Sequence, residues 1–124
     1  MIFDKAIYIL SLRGNKYYVG KSGNIPKRIG DHFKGRGSYW TRKFKPIEVL
    51  DIVENKSLFT EDNVTKELMY KYGIDNVRGG SYSQIKLSEC DLYCLKKELW
   101  GVKDLCFLCG ENHFINKCPK KKSL

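Results

Sequence analysis

The sequence predicts an α+β domain, a three-stranded antiparallel sheet flanked by helices, followed by a small cysteine-rich module. Three observations predict it. Residues 6–12 and 16–20 are rich in Ile, Tyr and Val around "RGN", and "PIEVLDIV" at 46–53 alternates as a strand does. From Ser57 to Tyr72, and again from Ser88 to about Trp100, apolar residues recur at helical spacing. Near the end, Cys106, Cys109 and Cys118 gather around His113.

Each element has a local reason. "RGN" is a short glycine-containing turn, so the first two strands form a hairpin. "SGNIPKRIGDHF" opens a helix, with Asn24 as cap and Pro26 in the first turn, where its missing N–H costs little. "GRGSYWTRKFK" is a basic, glycine-hinged loop or short helix leading into the third strand. In the long helix Leu58, Val64, Leu68, Met69 and Tyr72 recur on one side, and Gly73 follows where a left-handed cap belongs. The last helix is capped by Ser88 with Asp91 three residues on, carries Leu92, Leu95 and Leu99 on one face, and ends at Gly101. Cys90 and Cys94 read as small buried apolar residues, and "RGG" at 78–80 as a tight turn.

At 124 residues the chain supports one compact domain and an appendage too small for its own core. The expected division is a domain over 1–100, a linker at 101–104, a metal-binding knuckle at 105–119 and a basic tail at 120–124. The net charge of +9 favours an anionic partner, most often nucleic acid. Its distribution is more informative. Ten Lys or Arg and a single acid, Asp31, fall between Arg13 and Lys45, whereas 46–69 carry six acids against Lys56 and Lys66. One part is suited to grip phosphates and the other to hold a cation.

No apolar run reaches the roughly 18 residues of a membrane span, and "MIFDKAIYIL" lacks the basic flank and cleavage site of a signal peptide. An intracellular chain is expected, in cytoplasm or nucleus, with no membrane partner. Five cysteines, an odd number, argue for metal rather than a disulfide framework.

Spacing turns these readings toward one chemistry. Tyr8 is followed ten residues later by Tyr18, ten later again by Arg28 and four later by His32, with Lys21 three after Tyr18. Taken singly, each is an ordinary strand or helix residue. Taken together, "AIY" (6–8), "YVG" (18–20), Arg28, His32 and the segment through "YGIDNVRGG" resemble the GIY-YIG endonuclease family over residues 6 to about 83. Ala6 and Val19 depart from the signature triplets without removing a chemical group. "YGIDNVRGGSY" followed by a cysteine knuckle resembles a branch found in large DNA viruses, whose replication site would then be the setting.

The resemblance implies a fold of the GIY-YIG nuclease type and a metal-dependent endonuclease acting on DNA, branched or single-stranded substrates included. It implies that Tyr8 takes the proton of the attacking water while Tyr18 holds the water or phosphate. A free phenol has a pKa of about 10, so cations such as Lys21 must favour the phenolate. Arg28 suits the phosphate by its bidentate geometry, and His32, one turn further along the helix, reaches the tyrosine or the phosphate. Glu61 is the family's carboxylate, expected to hold Mg²⁺ or Mn²⁺, and a lone carboxylate is acceptable because magnesium keeps several waters. Asp62 and Glu67 are competitors for that role, and Asn76 matches an asparagine that several members place near the site. Lys21, Lys27, Arg36, Arg42 and Lys43 form the expected nucleic-acid-binding face.

"CFLCGENHFINKC" reads C-x₂-C-x₃-H-x₄-C, which offers Cys106, Cys109, His113 and Cys118 as tetrahedral zinc ligands. It resembles a CCHC zinc knuckle shortened by one residue between Cys109 and His113. Such knuckles bind single strands by stacking bases on aromatics, here Phe107 and Phe114, which brings RNA into the partner set beside DNA. The alternative function is a nucleic-acid-binding protein that keeps the fold without cleavage and binds through its basic face and knuckle.

Overall fold

The computed structural model describes residues 5–103. The knuckle, its zinc ligands Cys106, Cys109, His113 and Cys118, the aromatics Phe107 and Phe114, and the basic tail lie outside the described residues. The chain divides into two compact units, 1–86 and 87–124, and the last helix falls in the second.

The first unit is built on strands β1 (Ala6–Leu12), β2 (Lys16–Ser22), β3 (Pro46–Val53) and β4 (Val77–Gly79), in the order β3-β1-β2-β4. Helices α1 (Ile25–Phe33) and α2 (Tyr39–Lys43) come between β2 and β3. Helix α3 (Thr60–Tyr72) and a 3₁₀ turn (Ile74–Asn76) come between β3 and β4. Helix α4 (Glu89–Val102) belongs to the second unit.

The sheet has one strand more than the sequence predicts. β1 pairs antiparallel with β2 and with β3, as expected, while β4 adds a parallel edge beside β2 through Tyr17↔Val77, Tyr18↔Arg78 and Val19↔Gly79. Arg78 and Gly79 of the "RGG" read as a turn are therefore strand residues. A three-residue strand has no periodicity to detect, and its central arginine disguises burial. Arg78 is only 3% exposed. Its guanidinium donates to the carbonyls of Ile74, Val77, Gln84 and Ile85 at 2.6–3.1 Å and lies over the Trp40 ring, 4.7 Å from the centroid.

Alternation along β1 builds two cores. Tyr8, Leu10 and Leu12 point to one face with Tyr18 and Trp40, where Ile25 and Ile29 of α1, Phe44 and Ile85 pack on them. Ile7 and Ile9 point to the other face with Val19, against Val53 and against Val64 and Leu68 of α3. The hairpin turn places Gly14 and Asn15 at φ 78° and 57°, the positive values that tight turns use.

The caps form as the sequence predicts, with Asn24 accepting from Lys27 N at 3.3 Å and Ser88 from Asp91 N at 3.0 Å. Two expectations change in α4. The helix continues through Gly101 to Val102, and Cys90 and Cys94 are exposed rather than buried, because they lie off the stripe on which Leu95 is buried. Among the described residues, no helix is long and apolar enough to cross a membrane.

Candidate active site

Strand parity decides where the signature side chains go. Tyr8 and Gly20 are register partners on neighbouring strands, and Tyr18 lies two residues from Gly20 on the same face. A Cβ on Gly20 would collide with Tyr8 Cζ and Oη, so the glycine of "YVG" leaves the space that the phenol occupies. Lys21 falls on the opposite face with Val19, toward α3.

Helix α1 carries Arg28 and His32 one turn apart, and His32 reaches the tyrosines. The Tyr8 hydroxyl lies 2.7 Å from His32 Nε2, and the His32 ring is 5.0 Å from the Tyr18 ring between centroids. His32 is 1% exposed and Tyr8 is as deeply buried.

The far side of the imidazole fixes its proton. Thr41 Oγ1 donates to the Ser38 carbonyl at 3.0 Å, so it accepts from His32 Nδ1–H at 2.9 Å. His32 then carries its hydrogen on Nδ1, and Nε2 accepts from the Tyr8 hydroxyl. Ser38 caps α2 and thereby anchors the chain, accepting from Thr41 N at 3.3 Å. Gly37 supplies the room, since a Cβ there would run into His32 Nδ1 and come within 2.7 Å of Thr41 Oγ1.

Electrostatics follow burial. Burial pushes the Tyr8 phenol above its ordinary value, and the neighbouring Tyr18 adds to this, while the Arg28 guanidinium works the other way. Tyr18 is likewise raised by burial and pulled down by hydrogen bonding to Ser38 and by Arg28. Burial, and then Arg28, push His32 down to about 4, so the imidazole is neutral at pH 7. Arg28 is thus the charge that bears on all three rings.

Glu61 enters from the first turn of α3. Its Oε1 lies 3.9 Å from Lys21 Nζ. Burial raises its pKa, Lys21 lowers it, and Asp62 raises it again, a balance that a cation beside the carboxylate would shift toward ionisation. Asp62 is committed elsewhere, accepting from Ser81 N at 2.8 Å and from the Ser81 hydroxyl at 2.7 Å. Glu67 is exposed on the same helix. Among the described residues, no three His, Cys, Asp or Glu are arranged to hold a metal ion together. One half-buried carboxylate with an uncommitted oxygen fits a hard cation that keeps most of its waters.

The structure does not bring Asn76 to this cluster. Its Oδ1 accepts from Lys16 Nζ at 2.7 Å and its Nδ2 donates to the Tyr72 carbonyl at 2.7 Å, at the C-terminal end of α3. Glu61 sits at the other end, about 16 Å away along the helix axis. Asn76 fastens β2 to α3. Of the expected nucleic-acid-binding residues, Lys27 and Arg36 are exposed on and just after α1, Arg42 lies over the Tyr39 ring and Lys43 over the Phe44 ring. Thr41, Ser38 and Arg78 escaped the sequence reading as parts of the site, and Asp62 was weighed only as a rival metal ligand. Only the "SYWT" cap pattern hinted at Ser38 and Thr41, because a Ser three residues before a Thr says nothing of a distant histidine.

The fold and this cluster together define a class of protein. The GIY-YIG catalytic domain matches residues 4–71, more than half of the sequence, and the chain belongs to that family. A UPF0213 protein of Bacillus cereus is 41% identical over 58 residues, 47% of this chain and 55% of its own length. One of Cupriavidus necator is 36% identical over 44 residues, 36% of this chain and 48% of its own. One of Natronomonas pharaonis is 32% identical over 50 residues, 40% of this chain and 59% of its own. The chain therefore spans about half the length of the curated relatives it matches. No solved structure matches it significantly.

Proposed function

We propose that this chain is a divalent-metal-dependent endonuclease that hydrolyses DNA phosphodiester bonds, with Tyr8 as the group that takes the proton of the attacking water. The observation that carries the reading is the 2.7 Å bond from Tyr8 to an imidazole whose only free lone pair faces it.

Hydrolysis needs a water stripped of a proton in line with the leaving oxygen, and charge stabilised on the non-bridging oxygens as it develops. Tyr8 receives the water's proton at Oη while its own moves to His32 Nε2, and the water oxygen bonds phosphorus as the P–O bond to the leaving strand breaks; the leaving oxygen takes a proton from solvent, to which His32 later returns its own. In the free protein, burial opposes this transfer at both ends, so Tyr8 holds its proton until positive charge and substrate arrive. Arg28 binds the phosphate and, standing beside the new imidazolium, drives the proton off His32 afterwards. Tyr18 positions the water or the phosphate. Lys21, 3.9 Å from Glu61 Oε1, orients that carboxylate. Glu61 would hold Mg²⁺ or Mn²⁺, which when bound supplies charge to the non-bridging oxygens.

Residues 105–119 complete the proposal as a zinc knuckle, supported by the C-x₂-C-x₃-H-x₄-C spacing of Cys106, Cys109, His113 and Cys118. Phe107 and Phe114 would stack bases, with the domain over 1–100 doing the chemistry. The same reading sets the chain beside a branch found in large DNA viruses, on "YGIDNVRGGSY" followed by the knuckle. Incubating supercoiled plasmid with the protein and Mg²⁺ or Mn²⁺ tests the proposal. Nicking that EDTA stops is the expected result. Retention of the plasmid on the protein without nicking, with either ion, would replace it by a binding protein that has kept the fold.

A further inference from the structure

A cleft of about 410 Å³ opens at the end of the first unit remote from Lys21, lined by Arg13, Lys34, Arg42 and Lys45 with His32 and Thr41 among its other walls. We propose that this cleft is a second phosphate site, which grips the nucleic-acid backbone several nucleotides from the bond being cut. The inference rests on the nucleic-acid partner of the reading above, but not on cleavage.

Four different segments deliver the cations. Arg13 belongs to the hairpin turn, Lys34 caps the C-terminal end of α1, Arg42 rides on α2 and Lys45 precedes β3. The backbone holds two of them together, since Arg13 N donates to the Lys45 carbonyl at 2.9 Å. No Asp or Glu lines the cleft, and the Lys21–Glu61 ion pair lies elsewhere. Like charges gathered without a counter-charge repel, and a polyanion relieves the repulsion while releasing its own counterions.

Position suits a flanking phosphate rather than the scissile one. Arg13 is five residues beyond Tyr8 along β1, about 16 Å at the rise of a strand. At 3.4 Å per nucleotide along a duplex, that is a span of about five nucleotides. The cleft also touches His32 and Thr41 from the side opposite Tyr8, so a backbone seated there covers the outer end of the histidine's hydrogen-bond chain.

Fluorescence anisotropy of a labelled DNA duplex in EDTA, across a range of salt, tests the site without any cleavage. The pair Arg13→Ala/Lys45→Ala should lower the slope of log affinity against log salt by about 2, one unit for each lost phosphate contact. Lys71→Ala/Lys86→Ala, which removes the same charge from exposed positions outside the cleft, should leave the slope within about half a unit of wild type. Equal slope changes in both pairs, or none in the cleft pair, would overturn the proposal. Amide NMR titration separates the two sources of phosphate: Gly35, Thr41 and Lys45 should shift with micromolar duplex and need far higher inorganic phosphate. Saturation by inorganic phosphate at duplex-like concentrations would mark a small-anion site instead. Binding with the cleft-dependent slope but no cutting in Mg²⁺ sinks only the nuclease reading, whereas cutting with an unchanged slope sinks only the cleft.

Discussion

Tyr8 Oη and His32 Nε2 lie 2.7 Å apart although 24 residues separate them in sequence, and Thr41 holds the other ring nitrogen at 2.9 Å. The pair makes the phenol a group that can lose its proton to a neighbour instead of to water. Tyr8→Phe keeps the packing and should lower single-turnover cleavage about 10²–10⁴-fold, the range for a lost general base. Thr41→Val leaves a buried Nδ1–H without a partner, costing about 1–3 kcal/mol of stability. It should also allow the other tautomer, read from the imidazole ¹⁵N shifts. Thr41→Ser should restore both stability and rate. Unchanged shifts in Thr41→Val would show that another group orients the ring.

The low pKa of His32 sets a second expectation. The unfolded chain binds a proton at this histidine below about 6.5. The native state does so only near 4. Stability therefore falls as pH drops through that window, by about 3 kcal/mol at its lower end. His32→Gln should remove that part of the acid loss in a series of urea melts from pH 7 to pH 4. Above pH 6 the imidazole stays neutral, so cleavage rates should show no step there that His32→Gln abolishes.

Arg28 acts on three rings at once and is the natural phosphate ligand. Arg28→Lys keeps the charge and loses the planar fork, and should slow single-turnover cleavage about 10²-fold while changing DNA affinity little. A fully active lysine variant would reduce Arg28 to a solvated helix charge.

Arg78 carries stability rather than chemistry. Arg78→Lys cannot serve four carbonyls from one ammonium, and should cost about 3 kcal/mol. For a domain of this size, each kcal/mol lowers the melting temperature by about 4–8 °C. A melting temperature within two or three degrees of wild type would mean that water replaces the lost donors without loss.

How much of this was legible depended on the range of the signal. The strands at 6–12 and 46–53 and the caps at Asn24 and Ser88 are local and were readable, because alternation and capping are decided within a few residues. The joint spacing of Tyr8, Tyr18, Arg28 and His32 was readable for the same reason. β4 was not, since three residues carry no period and a buried arginine looks like a surface one. Nor was Thr41, whose partner is set by how α1 and α2 meet. Asn76 was expected at the site only through the family resemblance, and its bond to Lys16 is a long-range contact that no local pattern announces. Cys90 and Cys94 were misplaced because a cysteine's burial depends on which helix face it occupies, not on its residue type.

The central claim is that Glu61 makes a nuclease of this fold, through the cation it holds. Single-turnover cleavage and equilibrium binding of one DNA substrate, measured for wild type and Glu61→Gln in Mg²⁺, test it in a single comparison. Cleavage should fall at least about 10²-fold in the glutamine variant while affinity holds or rises, because a negative charge beside the DNA has been removed. Wild-type cleavage by Glu61→Gln, or a loss that appears only in Glu67→Gln, would contradict the account.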